Sequence, residues 1–219
     1  YRDDTLKYQA ACFLIENMPD QYAVLPLDST DTYARALLSL DKEDPVSWEI
    51  SRSLVAAVFD SISKIQPESR IKIVRDIEVM TSDYLIENIE SAFKVWNRRG
   101  VAKHYSFDDF CSYVLPYRVA HEPLSHWRRT ALQRYGHWLD SLNAPQDIAR
   151  SIAMRYPVRY NAGMTKYPYI MSYEEMDSLQ WGTCDDMTAF LTLSLRAIGI
   201  PAATDVVKAW ANRSSAHCW

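Results

Sequence analysis

Residues 181–202 read WGTCDDMTAFLTLSLRAIGIPA, and this stretch holds both the start and the end of one helix. Thr183 is a residue type that commonly caps helix N-termini, and two acidic residues follow in what would be the first turn. An apolar run comes next, and Gly199 supplies the residue that most often ends a helix. The stretch therefore predicts a helix over about 184–197, with Cys184 in its first turn.

Cys184 lies where a thiol can be activated as a nucleophile. Free backbone N–H groups and the helix dipole favour a thiolate there, and the same N–H groups can face an oxyanion. Asp185 and Asp186 oppose the thiolate, so an imidazolium partner is required. His217 follows 33 positions later, after the helix, a Gly-Ile-Pro turn and a predicted strand. Because this path can return the chain to the helix N-terminus, we interpret His217 as the base of Cys184.

Three sequence blocks occur in order over residues 180–219. They are Gly182-x-Cys184-Asp185-Asp186, then LRAIGIPA at 195–202, and then His217-x-Trp219. Together they resemble the core of the transglutaminase-like superfamily. Two further segments, AACFLIENMP at 10–19 and YVLPYRVAHE at 113–122, are similar to the N-terminal helical region of such proteins of the Bacteroidetes type.

The resemblance implies a papain-like Cys-His-Asp triad made of Cys184, His217 and an Asp beyond residue 219. The thiolate would attack a carboxamide or peptide carbonyl to give an acyl-enzyme, and His217 would transfer the protons. Water then gives hydrolysis and a lysine amine gives cross-linking; we expect hydrolysis of the cysteine peptidase or amidase type. Without the orienting Asp, the chain as given can be inactive even if a longer protein is active.

The remaining parts of the expected site follow from the same comparison. The backbone N–H of Cys184 is the first candidate oxyanion donor, and the side chains of Gln180 and Trp181 are two others. Gly182 would allow a substrate backbone to approach. The expected partner is a protein or peptide substrate, including a peptidoglycan peptide or a glycoprotein.

Each feature also has a structural interpretation. A Cys at a helix start is more often a small buried hydrophobe, and a strand His is often a surface residue. Arg118 and Glu122 favour an ion pair that locks the helical region to the core, with a substrate-cleft wall as the alternative. The aromatic residues of 156–173 either stack on a peptide or glycan or form a packing seam. The alternative function is therefore a non-catalytic protein- or glycan-binding module with a degenerate transglutaminase-like core.

Composition argues against several function classes. The net charge is −4 and no Lys/Arg run exceeds a pair, so we expect no nucleic-acid partner. No apolar run approaches the roughly 20 residues of a membrane helix, so no transmembrane segment is expected. Four cysteines without a CxxC pair predict neither a disulfide scaffold nor a metal site, and we expect no cofactor. The start at Tyr1 and the resemblance favour a processed periplasmic or cell-envelope protein, including a lipoprotein.

Helical periodicity dominates the first three quarters of the chain. Helices are predicted at about 6–17, 33–40, 47–65, 83–98, 107–114, 123–142 and 146–156, and residues 71–80 fit either a strand or a helix. Residues 157–171 favour an extended loop, and strands are predicted from Ile200 through Trp210 and from His217. The expected fold class is α+β: a predominantly helical region at 1–156, then the incomplete start of a papain-like core at 157–219, with a helix and antiparallel strands.

Overall fold

The computed structural model describes residues 1–26, 31–39, 48–65, 71–98, 105–141, 144–155, 157–167, 169–209 and 216–219. Its α-helices are α1 (Thr5–Glu16), α2 (Asp31–Leu38), α3 (Trp48–Ile65), α4 (Asp76–Val79), α5 (Ser82–Trp96), α6 (Phe107–Tyr113), α7 (Trp127–Tyr135), α8 (Trp138–Ser141), α9 (Pro145–Arg155), α10 (Tyr173–Leu179) and α11 (Cys184–Ala197). Its strands are β1 (Tyr22–Pro26), β2 (Ile71–Arg75), β3 (Arg159–Tyr160), β4 (Trp181–Gly182), β5 (Val206–Val207) and β6 (His217–Cys218). A 3₁₀ helix covers Ala162–Lys166.

The strands form three two-stranded sheets. β1 and β2 pair antiparallel, β3 and β4 pair parallel, and β5 and β6 pair antiparallel. The described chain is thus mostly helical with small sheets, which agrees with the predicted α+β class. Within the described residues, no helix is long and apolar enough to cross a membrane.

Short polar signals set most helix boundaries. Ser106 and Ser172 each begin a helix with a capping box, in which the acidic side chain three residues on accepts a hydrogen bond from the backbone N–H of the cap residue. Pro145 occupies the first position of α9, where its missing N–H leaves no helical hydrogen bond unmade. Gly199 has a φ of 82° and follows α11, where a left-handed residue ends the helix.

Three segments differ from their predictions. The ambiguous residues 71–80 divide into β2 and α4. The helix predicted over 123–142 begins only at Trp127, because the Glu122 side chain accepts the N–H groups of Val119 and Ala120 and holds a turn there. The strand predicted from Ile200 is limited to β5, and Trp210 lies outside the described residues.

Two hydrophobic cores support the fold. The first lies between α1, α5 and α6, where the Phe93 and Phe110 rings meet edge to face at 5.0 Å. The second surrounds α11, where Tyr173 stacks on Phe190 at 4.3 Å. This second core also includes side chains of α3, α7 and α9 together with Val158. The boundary predicted at residue 157 therefore does not coincide with a break between cores.

A buried arginine connects the two cores. Arg128 donates from Nε to the Asn88 side chain at 3.0 Å and from Nη2 to the Val114 carbonyl at 2.9 Å, both in the first core. Its Nη1 donates to the carbonyl of Arg196, in the last turn of α11, at 3.0 Å. Because these acceptors satisfy a guanidinium that is almost fully buried, they fix α11 relative to α5.

Candidate functional site

The N-terminus of α11 has the cap that the sequence predicts. The Thr183 hydroxyl accepts the Asp186 N–H at 3.4 Å, and Asp186 Oδ2 accepts the Thr183 N–H at 2.8 Å. This capping box makes Cys184 the first residue of the helix, with a half-buried side chain. The N–H groups of Cys184 and Asp185 lie in the same turn and have no partner among the described residues.

Gly182 leaves room for the cap. A Cβ at this position would lie 2.6 Å from the Asp186 Cβ, closer than real side-chain atoms come. The residue before the WG strand, Gln180, has a φ of 58°, a left-handed conformation that turns the chain from α10 into β4. Burial raises the pKa of Asp186, and the hydrogen bonds from Thr183 oppose that rise.

Cys218 packs against the first turn of α11. Its thiol is buried and donates a hydrogen bond to Asp185, with Sγ and Oδ1 2.7 Å apart. The ligand atoms of Cys184, Asp185 and Cys218 all lie within 4.8 Å of one another. Burial, with the hydrogen bond to Asp185, raises the pKa of Cys218 to about 12, so this thiol is protonated at neutral pH.

His217 lies on the same strand but on the other face. Successive side chains of a strand point to opposite sides, and Cys218 is the residue that meets α11. The imidazole is exposed, and its ring lies 5.5 Å from the ring of Trp219. The pairing of His217 with Cys184 as base and nucleophile stays a prediction.

The two side-chain candidates for the oxyanion site lie just before the cap. Gln180 is exposed, and its carbonyl accepts the N–H of Arg159. Trp181 is half-buried and packs against the second core. Neither placement tests the oxyanion role. The unpartnered N–H groups of the first turn are the donors whose position best suits it.

A groove of about 570 Å³ runs along the first two turns of α11, a volume within the usual range for ligand sites. Asp185 and Asp186 line it, whereas Cys184, the residue before them, is not among the lining residues. The other lining residues come from the YVLPYRVAHE segment, the aromatic loop, α10 and β5, and include Val119, Glu122, Met164, Tyr167, Tyr169, Met176 and Val206. Within the loop, the hydroxyls of Tyr167 and Tyr169 are 2.5 Å apart, so the loop has its own internal contacts.

The YVLPYRVAHE segment forms one wall of this groove and also locks the fold. Arg118 makes a buried ion pair with Asp76, with Nη2 and Oδ1 2.6 Å apart. The predicted ion pair between Arg118 and Glu122 is wrong, because Arg118 donates to the backbone carbonyl of Glu122 and not to its carboxylate. The Glu122 carboxylate instead accepts the backbone N–H of Val119 in the turn. The locking role is correct, since Arg196 of α11 donates to the Arg118 carbonyl at 2.8 Å.

Sequence reasoning missed one element of this site, the contact between Asp185 and Cys218. The two residues are 33 positions apart, and no local motif links them. The alternation of a strand beginning at His217 was the available signal, because it directs Cys218 to the opposite face from the histidine.

No protein-family model, curated protein or solved structure matches this chain.

Proposed function

We propose that the chain carries the nucleophile of a thiol-dependent acyl transfer on amide or peptide bonds, with Cys184 as the attacking residue. The observation that carries the proposal is a half-buried thiol at the first position of a capped 14-residue helix. Two unpartnered N–H groups in the same turn suit an oxyanion, and a groove borders the turn. These features agree with the resemblance of this segment to the transglutaminase-like core.

The chemistry needs a proton acceptor for Cys184, and we assign that role to His217. Support comes from β6, which packs against the first turn of α11 through Cys218. The imidazole must reach the α11 side of the strand to accept the thiol proton. A shift of β6 by one residue against β5 exchanges the faces of Cys218 and His217. Such a shift breaks the two backbone hydrogen bonds between Asp205 and Trp219 and the thiol hydrogen bond from Cys218 to Asp185.

The groove is the proposed substrate site. Tyrosine side chains and apolar residues along the aromatic loop suit an extended peptide, which can pack on ring faces while its carbonyl reaches the helix N-terminus. The C–N bond of the substrate breaks as the amine leaves with a proton, and water then hydrolyses the thioester. We favour hydrolysis over transfer to a lysine, and a periplasmic or cell-envelope location, on the resemblance alone.

The test is acylation of the thiol by an activated ester. We expect p-nitrophenyl acetate to give a burst of one nitrophenolate per chain and one acetyl group on Cys184, located by peptide mass spectrometry. Cys184→Ser should remove the burst and the adduct. Cys12→Ser is the matched control, because Cys12 is also half-buried but lies on α1, and it should leave both unchanged. Acetylation spread equally over Cys12 and Cys184 contradicts the proposal.

The second candidate is a binding module whose core no longer catalyses. One observation favours it: Cys218, not His217, meets the nucleophile's turn, and its proton is already donated to Asp185. In that case the groove binds a peptide or glycan without turnover. Binding of a peptide library that is unchanged in Cys184→Ser, together with the absence of an acetyl adduct in the wild type, would favour this candidate.

A further inference from the structure

Cys184, Asp185 and Cys218 form the group of potential metal ligands that the described residues bring together. Each offers one donor atom, two sulfurs and one carboxylate oxygen, and these atoms lie within 4.8 Å of one another. Consecutive residues of a helix contribute two of the three donors, and the strand β6 contributes the third. We propose that this group is a binding site for a thiophilic divalent cation, of which Zn²⁺ is the physiological example.

Small side-chain movements would bring the donors to the distances that such a cation needs. Zinc binds thiolate sulfur at about 2.3 Å and carboxylate oxygen at about 2.1 Å, so tetrahedral donors lie roughly 3.6–3.8 Å apart. Cys218 Sγ and Asp185 Oδ1 are 2.7 Å apart because a thiol proton lies between them, and the Cys184 sulfur lies within 4.8 Å of both. When a cation replaces that proton, Sγ and Oδ1 move apart by about 1 Å, which side-chain rotation can supply.

The chemistry of the donors selects the class of cation. Two thiolates and one carboxylate suit zinc, and they disfavour magnesium and calcium, which take oxygen ligands. Binding replaces two S–H bonds by two S–metal bonds and releases two protons to the buffer, so no oxidant or reductant is needed. Asp185 already accepts the Cys218 hydrogen bond, so its carboxylate oxygen lies beside a sulfur of the proposed site.

The position of the site leaves one coordination position for an outside ligand. Asp185 is exposed and lines the groove, so a cation held by these residues would lie beside the groove, with a fourth ligand to come from outside the three side chains. Three protein ligands with one open position differ from the closed four-ligand arrangement of purely structural zinc sites. If Cys184 is also the nucleophile, which rests on the proposed function, then cation binding and acylation compete for the same sulfur.

Cobalt(II) provides the spectroscopic probe for the experiment. The full chain is reduced with a phosphine, stripped with a chelator and titrated with Co²⁺ while thiolate-to-metal charge transfer and the visible bands are recorded. We expect one tetrahedral Co²⁺ per chain, displaced by an equal amount of Zn²⁺. Cys218→Ser should weaken binding by at least about 100-fold and Asp185→Asn by at least about 10-fold, since the loss of a direct ligand exceeds the usual outer-shell effects.

Two features keep this experiment decisive. Cys111→Ser and Cys12→Ser remove thiols that lie in or beside the first core, and both should leave the cobalt spectrum unchanged. Cys184→Ser alters only a half-buried side chain, so it tests the same site if Cys218→Ser fails to fold. An octahedral spectrum without charge transfer, or wild-type affinity in both Cys184→Ser and Cys218→Ser, overturns the proposal. Because the readout is spectroscopic, it is independent of whether the acylation test succeeds.

Discussion

Removing the charge of Arg118 tests whether its buried ion pair with Asp76 holds the groove wall in place. Arg118 and Asp76 are buried, with side chains 3% and 0% exposed, and they join at 2.6 Å and 2.9 Å. Arg118→Met keeps an unbranched apolar side chain in place of the arginine stem but leaves the Asp76 carboxylate buried without its cation. Breaking one partner of a buried pair costs about 3–5 kcal/mol of unfolding free energy, largely because of the uncompensated charge.

For a chain of this length, that loss lowers the melting temperature by roughly 6–20 °C. The assay is urea unfolding followed by circular dichroism, with thermal unfolding as a second measure. Asp76→Ala and the double variant complete a cycle, in which the double variant should cost clearly less than the sum of the single ones. The cycle separates the interaction between the two charges from the packing that each side chain loses.

An exposed ion pair between α5 and α7 provides the control. Arg129 and Glu87 also join at 2.7 Å, but their side chains are 60% and 34% exposed. Arg129→Met should therefore cost no more than about 1 kcal/mol, because solvent screens such pairs. If Arg118→Met is as mild as Arg129→Met, or if the Arg118 and Asp76 effects simply add, the buried pair is not what holds this segment.

Three further outcomes follow from the α11 cap and its surroundings. Gly182→Ala should cost about 1–3 kcal/mol in urea unfolding, because its Cβ would meet the Asp186 Cβ at 2.6 Å, and a neutral result would refute that crowding. Thr183→Ala should cost about 1 kcal/mol, whereas Thr183→Ser should restore the hydroxyl acceptor, and equal losses in the two would argue against the cap. For Cys218 the folded pKa is raised to about 12, above the unfolded value, so its stabilising contribution is complete below about pH 8.5 and is lost as pH rises toward 12. In metal-free protein, the free energy of unfolding should therefore fall less steeply with rising alkaline pH in Cys218→Ser than in the wild type. Cys184 and Asp185 also influence this fall, because their charges act on the Cys218 thiol. If the free energy falls equally steeply in both proteins, Cys218 does not contribute.

Local signals in the sequence were sufficient for most helix boundaries. Ser106, Ser172 and Thr183 each begin a helix through a hydrogen bond that depends on a side chain three residues away. Gly199 ends α11 because a left-handed residue is needed there. Such rules work because donor and acceptor are close in sequence and no tertiary contact is required.

The elements that depend on distant partners were not predictable. The helix predicted from residue 123 begins only at Trp127, after a turn in which Glu122 accepts the N–H groups of Val119 and Ala120, and helical periodicity does not reveal that turn. Arg118 pairs with Asp76, 42 positions away, although a glutamate four positions away was the obvious candidate. The helical region and the segment after residue 157 share one core for the same reason, since contacts between distant helices leave no local pattern.

The candidate site shows the same division. The position of Cys184 in a capped first turn followed from the sequence, whereas the approach of Cys218 to Asp185 depends on which face β6 presents. Strand alternation placed Cys218 and His217 on opposite faces but did not say which face meets α11. Tertiary packing determines which face of β6 meets α11. It therefore determines whether the strand presents His217, the proposed base, or Cys218, the proposed metal ligand, to the helix.

The rate at which iodoacetamide alkylates Cys184 as a function of pH tests whether Cys184 is an activated nucleophile. The measurement uses chelator-treated protein between about pH 5 and 9, with Cys12 as the internal reference thiol and quantitation by mass spectrometry. We expect Cys184 to react well below the pH at which Cys12 begins to react. In His217→Ala, the two cysteines should begin to react at the same pH. Equal profiles for Cys184 and Cys12, in the wild type and in His217→Ala alike, would contradict an activated nucleophile at this position.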